Sequence, residues 1–269
     1  MDVFLPGTPL TSKEKTFLSK YLNPVYLTNQ TLVVLASRFA EESSLELHAF
    51  LVENLASELE TFLRLQDQDD GYTQGARGER TPQHDSGISG GSGWKLTGPP
   101  HKRRYCLLQS TETSHPTPDS TPSSMSILQE LQDVLFPSAA FRSWLAALSS
   151  LLPLGYAVEA RRFRPGLDYT LARSEGEARL DVCLGLTPKS FEGPGWEGGS
   201  WGGWEVRSYS RKSCRLINKA SLINSVIWRL TKVTTTQLSI DLAIRNRITK
   251  RKMVPYSYHN LVLTIFYWF

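Results

Sequence analysis

The 269-residue sequence has little of the residues that build metal sites and disulfides. It contains five histidines and three cysteines, and Cys106, Cys183 and Cys214 are far apart, with no CxxC pair. An odd, widely spaced set of cysteines argues against a disulfide scaffold or a zinc site and favours a reducing compartment. No histidine stands two residues before an aspartate or glutamate, so the H-x-D/E pair of a 2-His-1-carboxylate iron site is missing. We therefore predict no metal ligands and no catalytic residues in this chain.

Several other signatures are also missing. The sequence has no GxxxxGK[ST] phosphate loop and no HExxH zinc motif, and the Gly-rich "GGSG" at 90–93 lacks the lysine that a phosphate loop needs. The first residues show no basic segment followed by a long apolar core, which a signal peptide would need. The apolar run at the end, "NLVLTIFYWF", has about half the length of a bilayer span. We expect a cytoplasmic or nuclear protein with no membrane partner.

Charge is distributed unevenly along the chain. Residues 206–269 carry 12 Lys and Arg against one Asp, whereas the whole chain has a net charge of +4, so residues 1–205 carry −7. Clustered cations attract phosphates, which makes nucleic-acid binding through the basic end one interpretation. The alternative is that "RITKRK" forms an ordinary solvated face.

Helical signals dominate residues 11–65. Thr11 with Glu14 forms an S/T-x-x-E capping box, and Thr28 is placed to start a second helix. Another box, Ser43 with Glu46, predicts a third helix. Large apolar residues recur in that segment at three- or four-residue spacing, as in an amphipathic helix: Leu47, Leu51, Leu55, Leu59 and Phe62.

Two further helices are predicted after residue 125. Ser126 with Gln129 caps the first, which Pro137 ends, and Ser138 starts the second. The first is expected to bury the following apolar residues: Ile127, Leu131, Val134 and Leu135.

Insertions of disordered composition are expected near 66–93 and 109–125, which are poor in large aliphatic residues. Between them, residues 94–108 read as two strands that flank Gly-Pro-Pro.

Strand-like alternation appears three times between residues 154 and 186. Two of the strands flank the Pro165-Gly166 turn, and the third follows "SEGE". This pattern predicts three successive antiparallel strands. The residues expected on their buried faces are Leu154, Tyr156, Val158, Ala160, Leu167, Tyr169, Leu171, Leu180, Val182, Leu184 and Leu186.

Six segments, taken in order, resemble the C-terminal, non-catalytic ("degradation") domain of the prolyl 3,4-dihydroxylase family of 2-oxoglutarate- and iron-dependent oxygenases. They are "LNPVYL" (22–27), "GPPHKRRY" (98–105), "FPSAAFRSWLAAL" (136–148), "RRFRPGLDYTLA" (161–172), "LDVCLGLTP" (180–188) and "GGWEV" (202–206). The resemblance implies an α+β double-stranded β-helix domain (jelly-roll, cupin-like) over residues 1–206, with packed N-terminal helices.

The same resemblance implies what the domain does. In this family the catalytic barrel holds Fe(II) and 2-oxoglutarate, with ascorbate as a further requirement, and the second barrel lacks the iron ligands. In a catalytic barrel the H-x-D pair follows a Gly-containing turn, whereas here the strand after Pro165-Gly166 offers Asp168 and no histidine. We therefore expect no cofactor in this chain.

The sequence departs from the family after "GGWEV". Residues 207–269 are expected to be an atypical basic tail, which is either a lineage-specific replacement or a gene model that runs through an intron. In both cases the barrel could be truncated at its C-terminus, with strand edges left unpaired.

The leading hypothesis is a non-catalytic regulatory or protein-interaction domain. Its partner would be the family's catalytic domain or a translation- or ribosome-related protein. The alternatives are a fragment of a full-length peptidyl-proline dioxygenase and a nucleic-acid-binding module acting through the basic tail.

Arginine and tryptophan are frequent interface anchors, which makes the following residues candidate partner contacts: Arg161, Arg162, Arg164, Trp94 and Trp204. The competing interpretation is that the arginines pair with acidic neighbours and that Trp204 fills the core.

Overall fold

The computed structural model describes residues 8–70, 88, 93–110, 124–164, 167–170, 179–186, 206–207, 216–217, 225–231 and 260–268. The α-helices are α1 (Ser12–Leu18), α2 (Asn29–Glu42), α3 (Glu53–Asp69), α4 (Ser124–Glu130) and α5 (Ala139–Ser149). A 3₁₀ turn spans Pro24–Leu27, and a π-helical turn, Leu131–Leu135, continues α4. The strands are β1 (Ser44–Leu47), β2 (Trp94–Thr97), β3 (Arg103–Leu108), β4 (Gly155–Phe163), β5 (Tyr169–Thr170), β6 (Arg179–Gly185), β7 (Val206–Arg207), β8 (Leu216–Ile217), β9 (Ser225–Thr231) and β10 (Asn260–Trp268).

Three of the predicted helix starts are confirmed by their caps. The Thr11 hydroxyl accepts a hydrogen bond from the Glu14 N–H, and Glu14 Oε2 accepts from the Thr11 N–H at 2.7 Å, which completes the capping box. The side chains of Thr28 and Ser138 cap α2 and α5 in the same way. α1 and α2 both pack on α5, so these caps fix the start of a helical layer.

The third predicted helix start is wrong. Ser43 is the left-handed C-cap of α2, with φ 55°, and β1 follows directly. Leu45 and Leu47 are buried while Glu46 is partly exposed, which is the two-residue period of a strand. α3 begins only at Glu53, after Ala49 has turned the chain with φ 49°.

An eight-stranded antiparallel sheet forms the other layer. Seven of its strands lie in the order β1-β9-β6-β10-β4-β3-β2, and β5 pairs with β3. β4 and β6 are therefore not neighbours, because β10 lies between them and pairs with both. The predicted strands exist, but the prediction that they are successive neighbours is wrong.

The sheet crosses the predicted boundary at residue 206. β9 pairs with β1 and β6 over Ser225–Thr231, and β10 pairs with β4 and β6 over Asn260–Trp268. The apolar run near the end of the chain is thus a central strand of the sheet.

The core lies between the helices and the sheet. Trp144, Phe141 and Phe50 are fully buried, and the Trp144 ring packs against both phenylalanine rings. The Tyr267 hydroxyl of β10 donates to the carbonyl of Phe136 at 2.7 Å. The prediction for β6 is confirmed, since its four alternating apolar residues are fully buried: Leu180, Val182, Leu184 and Leu186.

Three residues predicted to be buried are exposed. Val134 is exposed because the π-helical turn adds a residue to its turn and shifts the side chain off the buried face. Leu154 precedes the strand, and Tyr156 lies at the open end of β4, whose buried residues are concentrated between Ala160 and Phe163. Within the described part of the chain, no helix is long and apolar enough to cross a membrane.

Candidate functional site

The end of β4 folds back on itself at the predicted corner. The N–H groups of Leu167 and Asp168 both donate to the carbonyl of Arg164, at 3.2 and 3.1 Å. Asp168 Oδ2 in turn accepts from the Arg164 N–H at 2.9 Å. Pro165 and Gly166 lie outside the described residues. The corner is therefore closed from both sides by Arg164 and Asp168.

Arg164 and Asp168 also form a fully buried ion pair. Arg164 Nε donates to Oδ2 at 2.8 Å and Nη2 donates to Oδ1 at 2.9 Å, while both side chains have 0% exposure. This is the two-pronged geometry in which a guanidinium matches a carboxylate best. Asp168 was not among the residues expected on the buried faces of the strands, yet it is buried, because Arg164 supplies its counter-charge inside.

Two residues of β3 extend the cluster around Asp168. Arg104 Nε lies 3.7 Å from Oδ1, and the Cys106 thiol lies 3.9 Å from Oδ2. Burial raises the pKa of Cys106 to about 12; the charge of Asp168 adds to the rise, and the guanidinium groups of Arg164 and Arg162 oppose it. The thiol therefore stays protonated at neutral pH and is a poor nucleophile.

The other two arginines of β4 also have carboxylate partners. Arg162 is buried and donates from Nη1 to Asp70 Oδ2 at 2.6 Å, which ties β4 to the chain just after α3. Arg161 pairs with Glu159 at 2.6 Å, and its guanidinium lies 5.1 Å from the centre of the Tyr105 ring. This pairing fits the competing interpretation of the arginines, although two of the three are inside the domain rather than on its surface.

The candidate partner contacts therefore occupy different environments. Arg162, Arg164 and Trp94 are buried, and Arg161 is mostly covered. Trp204 lies outside the described residues. A partner contact through these five residues stays a prediction. The exposed basic side chains nearby belong to another segment.

That segment is the turn between β2 and β3, which joins "WKLT" to "RRYCLL". His101, Lys102 and Arg103 are exposed there, and the Gly98–Pro99 peptide bond is cis. Arg103 Nε donates to the carbonyl of Gly98 at 3.0 Å, and the Tyr169 hydroxyl donates to the carbonyl of Pro100. The run of cations after Gly-Pro-Pro, "HKRR", is the sequence signal for this surface.

The described residues do not fit an iron site. Among them, no group of three or more His, Cys, Asp and Glu side chains is placed to hold a metal ion. Asp168 is the carboxylate at the corner, and both of its oxygens accept from the Arg164 guanidinium, whose charge would repel a cation. That the chain binds no cofactor stays a prediction.

Comparisons with known proteins give one family. The family model described as "Oxoglutarate and iron-dependent oxygenase degradation C-term" matches residues 13–213. The chain is 32% identical over 195 residues to the prolyl 3,4-dihydroxylase OGFOD1 of Ostreococcus tauri; the match covers 70% of this chain and 35% of that protein. The chain thus matches about a third of the length of this curated relative.

Solved structures of prolyl hydroxylases are also similar. A prolyl-4-hydroxylase from Pseudomonas putida aligns with a TM-score of 0.46 and 11% identity, covering 88% of this chain and 97% of that one. A prolyl hydroxylase from Trichoplax adhaerens, in complex with a hypoxia inducible factor oxygen degradation domain peptide fragment, aligns with a TM-score of 0.47 and 9% identity, covering 89% of each chain.

Proposed function

Because the chain belongs to the family of the oxoglutarate and iron-dependent oxygenase degradation C-terminal domain, we propose that it is a non-catalytic domain with a regulatory, protein-binding role. The relative from Ostreococcus tauri is a prolyl 3,4-dihydroxylase, and this chain matches about a third of its length. The proposal is therefore that the chain corresponds to the part of such an enzyme that does not carry the iron chemistry.

The buried Arg164–Asp168 pair is the observation that carries this proposal. The resemblance implies that a catalytic barrel would carry its iron ligands after this turn, whereas here the Arg164 guanidinium holds both oxygens of Asp168. Asp168 thus closes the turn and neutralises a buried charge, which are roles in the fold. Nowhere in the sequence does a histidine stand two residues before an acid to supply the missing pair.

The finer fold in this proposal is a double-stranded β-helix. Its support is the strand order β10-β6-β9, in which the last strand, β10, returns beside β6 instead of pairing with β9. A Greek key likewise places its last strand beside its first, and two such keys make a jelly roll. The short β7–β8 pair would then belong to the second sheet. In this arrangement residues beyond 206 complete the barrel.

The partner that the family relationship favours is a catalytic oxygenase domain of the prolyl-dihydroxylase type. Fe(II), 2-oxoglutarate and ascorbate would be bound and used there, in a cytoplasmic or nuclear setting. A second candidate, that the chain is a fragment of such a full-length enzyme, is favoured by the 35% coverage of the relative. Under both candidates, this chain has no catalytic chemistry of its own.

The test is 2-oxoglutarate turnover by this chain with added Fe(II) and ascorbate. We expect no succinate above the level given by Fe(II) and ascorbate alone. His48→Gln serves as a comparison because the His48 side chain is 59% exposed, so we expect the variant to fold. The proposal is overturned if the chain produces succinate and if a substitution of one of its own histidines or acids abolishes the activity in a folded variant.

A further inference from the structure

We propose that the open edge of β2, together with the basic turn that follows it, docks an acidic peptide segment in extended conformation. We call this surface the basic edge and define it as β2 with residues 98–103. The inference gives a partner class to the proposed protein-binding role, but its evidence is independent of whether the chain turns over 2-oxoglutarate.

The first observation is the outward backbone of Leu96 in β2. This strand ends the sheet order, and among the described strands it pairs only with β3. The Gln109 N–H donates to the carbonyl of Gly93 at 2.9 Å, so Gly93 directs its carbonyl toward β3. Backbone directions alternate along an antiparallel strand, which turns the N–H and C=O of Leu96 to the outer side. An extended peptide can pair with such an edge.

The second step is the charge of the edge. Lys95, His101, Lys102 and Arg103 are exposed along β2 and its turn. Arg104 approaches Asp168, but that carboxylate is fully buried and already paired with Arg164. Asp168 therefore does not neutralise the exposed cations of the basic edge, which belong to residues 1–205, where the net charge is −7. A partner that brings carboxylates fits this surface best.

The third step separates a peptide from a nucleic acid. Single-stranded nucleic acids are bound on positively charged grooves in which exposed aromatic rings stack on the bases. Of the rings beside the basic edge, Trp94 and Tyr105 are buried, and Tyr169 is half-buried with its hydroxyl bonded to the Pro100 carbonyl. Leu96 is 38% exposed and offers an apolar contact next to the open backbone groups. Backbone pairing, one apolar contact and flanking cations together favour a strand of alternating acidic and apolar residues.

The turn is also held in place for this role. Arg103 bonds Gly98 across the turn, Tyr169 bonds Pro100, and β5 pairs with the start of β3 at Arg103 and Arg104. A surface that is already ordered loses less conformational entropy when it binds. The cations are therefore presented by a fixed turn.

The experiment measures binding of a labelled peptide of alternating Glu and Val by fluorescence anisotropy at low and high salt. Leu96→Pro removes the outward N–H and keeps the ladder to β3, since proline is tolerated where the N–H faces solvent. Leu96→Ala is its matched control, because it shortens the side chain and keeps the N–H. Lys95→Glu with Lys102→Glu reverses two exposed charges, and Lys13→Glu with Lys20→Glu makes the same charge change on and just after α1.

We expect Leu96→Pro and the Lys95/Lys102 variant each to weaken binding about tenfold or more, with affinity falling as salt rises. Leu96→Ala and the Lys13/Lys20 variant should stay within about threefold of the unmodified chain. The Lys95/Lys102 variant keeps the test decisive if Leu96→Pro unfolds. Absence of peptide binding, equal binding by all variants, or tighter binding of a uridine oligonucleotide of equal charge through the same residues would each overturn the proposal. Succinate production would overturn the non-catalytic proposal and leave this one standing.

Discussion

Removing one partner of the buried Arg164–Asp168 pair should lower the unfolding free energy of the fold strongly. In Asp168→Asn the side chain keeps its shape and loses its charge, so the buried Arg164 guanidinium loses the negative charge with which it pairs. Breaking a buried pair in this way costs about 3–5 kcal/mol. Domains of this size have unfolding free energies of about 5–15 kcal/mol, so the loss is a large part of the total.

The chain supplies a matched control for this experiment. Arg38 and Glu42 are also an arginine and an acid four residues apart, joined at 3.1 Å, but their side chains are 59% and 52% exposed. Glu42→Gln should therefore lower the unfolding free energy by only about 0.5 kcal/mol. Urea unfolding followed by tryptophan fluorescence measures both variants under the same conditions.

A double variant tests the physical reason directly. Arg164→Met with Asp168→Leu removes both charges of the pair and leaves the backbone N–H of residue 164 unpaired, which costs about 1–3 kcal/mol. The double variant should thus be more stable than Asp168→Asn alone. If Asp168→Asn costs no more than Glu42→Gln, or if the double variant is the least stable of the three, the reasoning from burial and charge is refuted.

Two further predictions concern other buried polar groups. Gln132→Leu should lower the unfolding free energy by about 1–3 kcal/mol in the same urea assay. Gln132 Oε1 accepts from the Ala160 N–H at 2.9 Å, and leucine leaves this buried donor unpaired. Gln30→Leu, at an exposed position, is the control, and an equal effect of the two substitutions would contradict the prediction. Stability should also fall as pH rises from about 9, since the folded pKa of Cys106, raised to about 12 by burial, makes the unfolded thiol lose its proton first. The contribution of Cys106 is at most about 1.4 kcal/mol per pH unit, and Cys106→Ala should flatten the decline; an unchanged slope in that variant would contradict it.

The sequence predicted features that depend on neighbouring residues. A capping box is complete within four residues, so Thr11 and Glu14 were sufficient to place the start of α1. The alternation in β6 is equally local, and all its predicted core residues are buried. Ser43 with Glu46 shows the limit of such signals, because a serine in the left-handed conformation ends α2 where a capping box would begin a helix.

The sequence patterns did not predict which distant strands pair with each other. β10 lies about 100 residues after β4 in the chain and pairs with it along its whole length. Its apolar run could equally be a buried strand or a buried helix, and period alone does not decide between them. The predicted division at residue 206 followed from the end of the resemblance at "GGWEV" and the change in charge, and the basic segment contributes β9 and β10 to the sheet.

The pairing of Arg164 with Asp168 was not predicted from the sequence, for a related reason. Strand alternation assigns a charged residue to the solvent side, and Asp168 faces inward only because Arg164 turns back on it at the corner. The same alternation separates two neighbours on β3, since Arg104 points to the buried carboxylate while Arg103 is exposed. The two neighbouring arginines of "HKRR" therefore lie in different environments, Arg103 in solvent and Arg104 beside the buried carboxylate. Arg104 links β3 to the charged corner, and the exposed cations beside it are left for a partner.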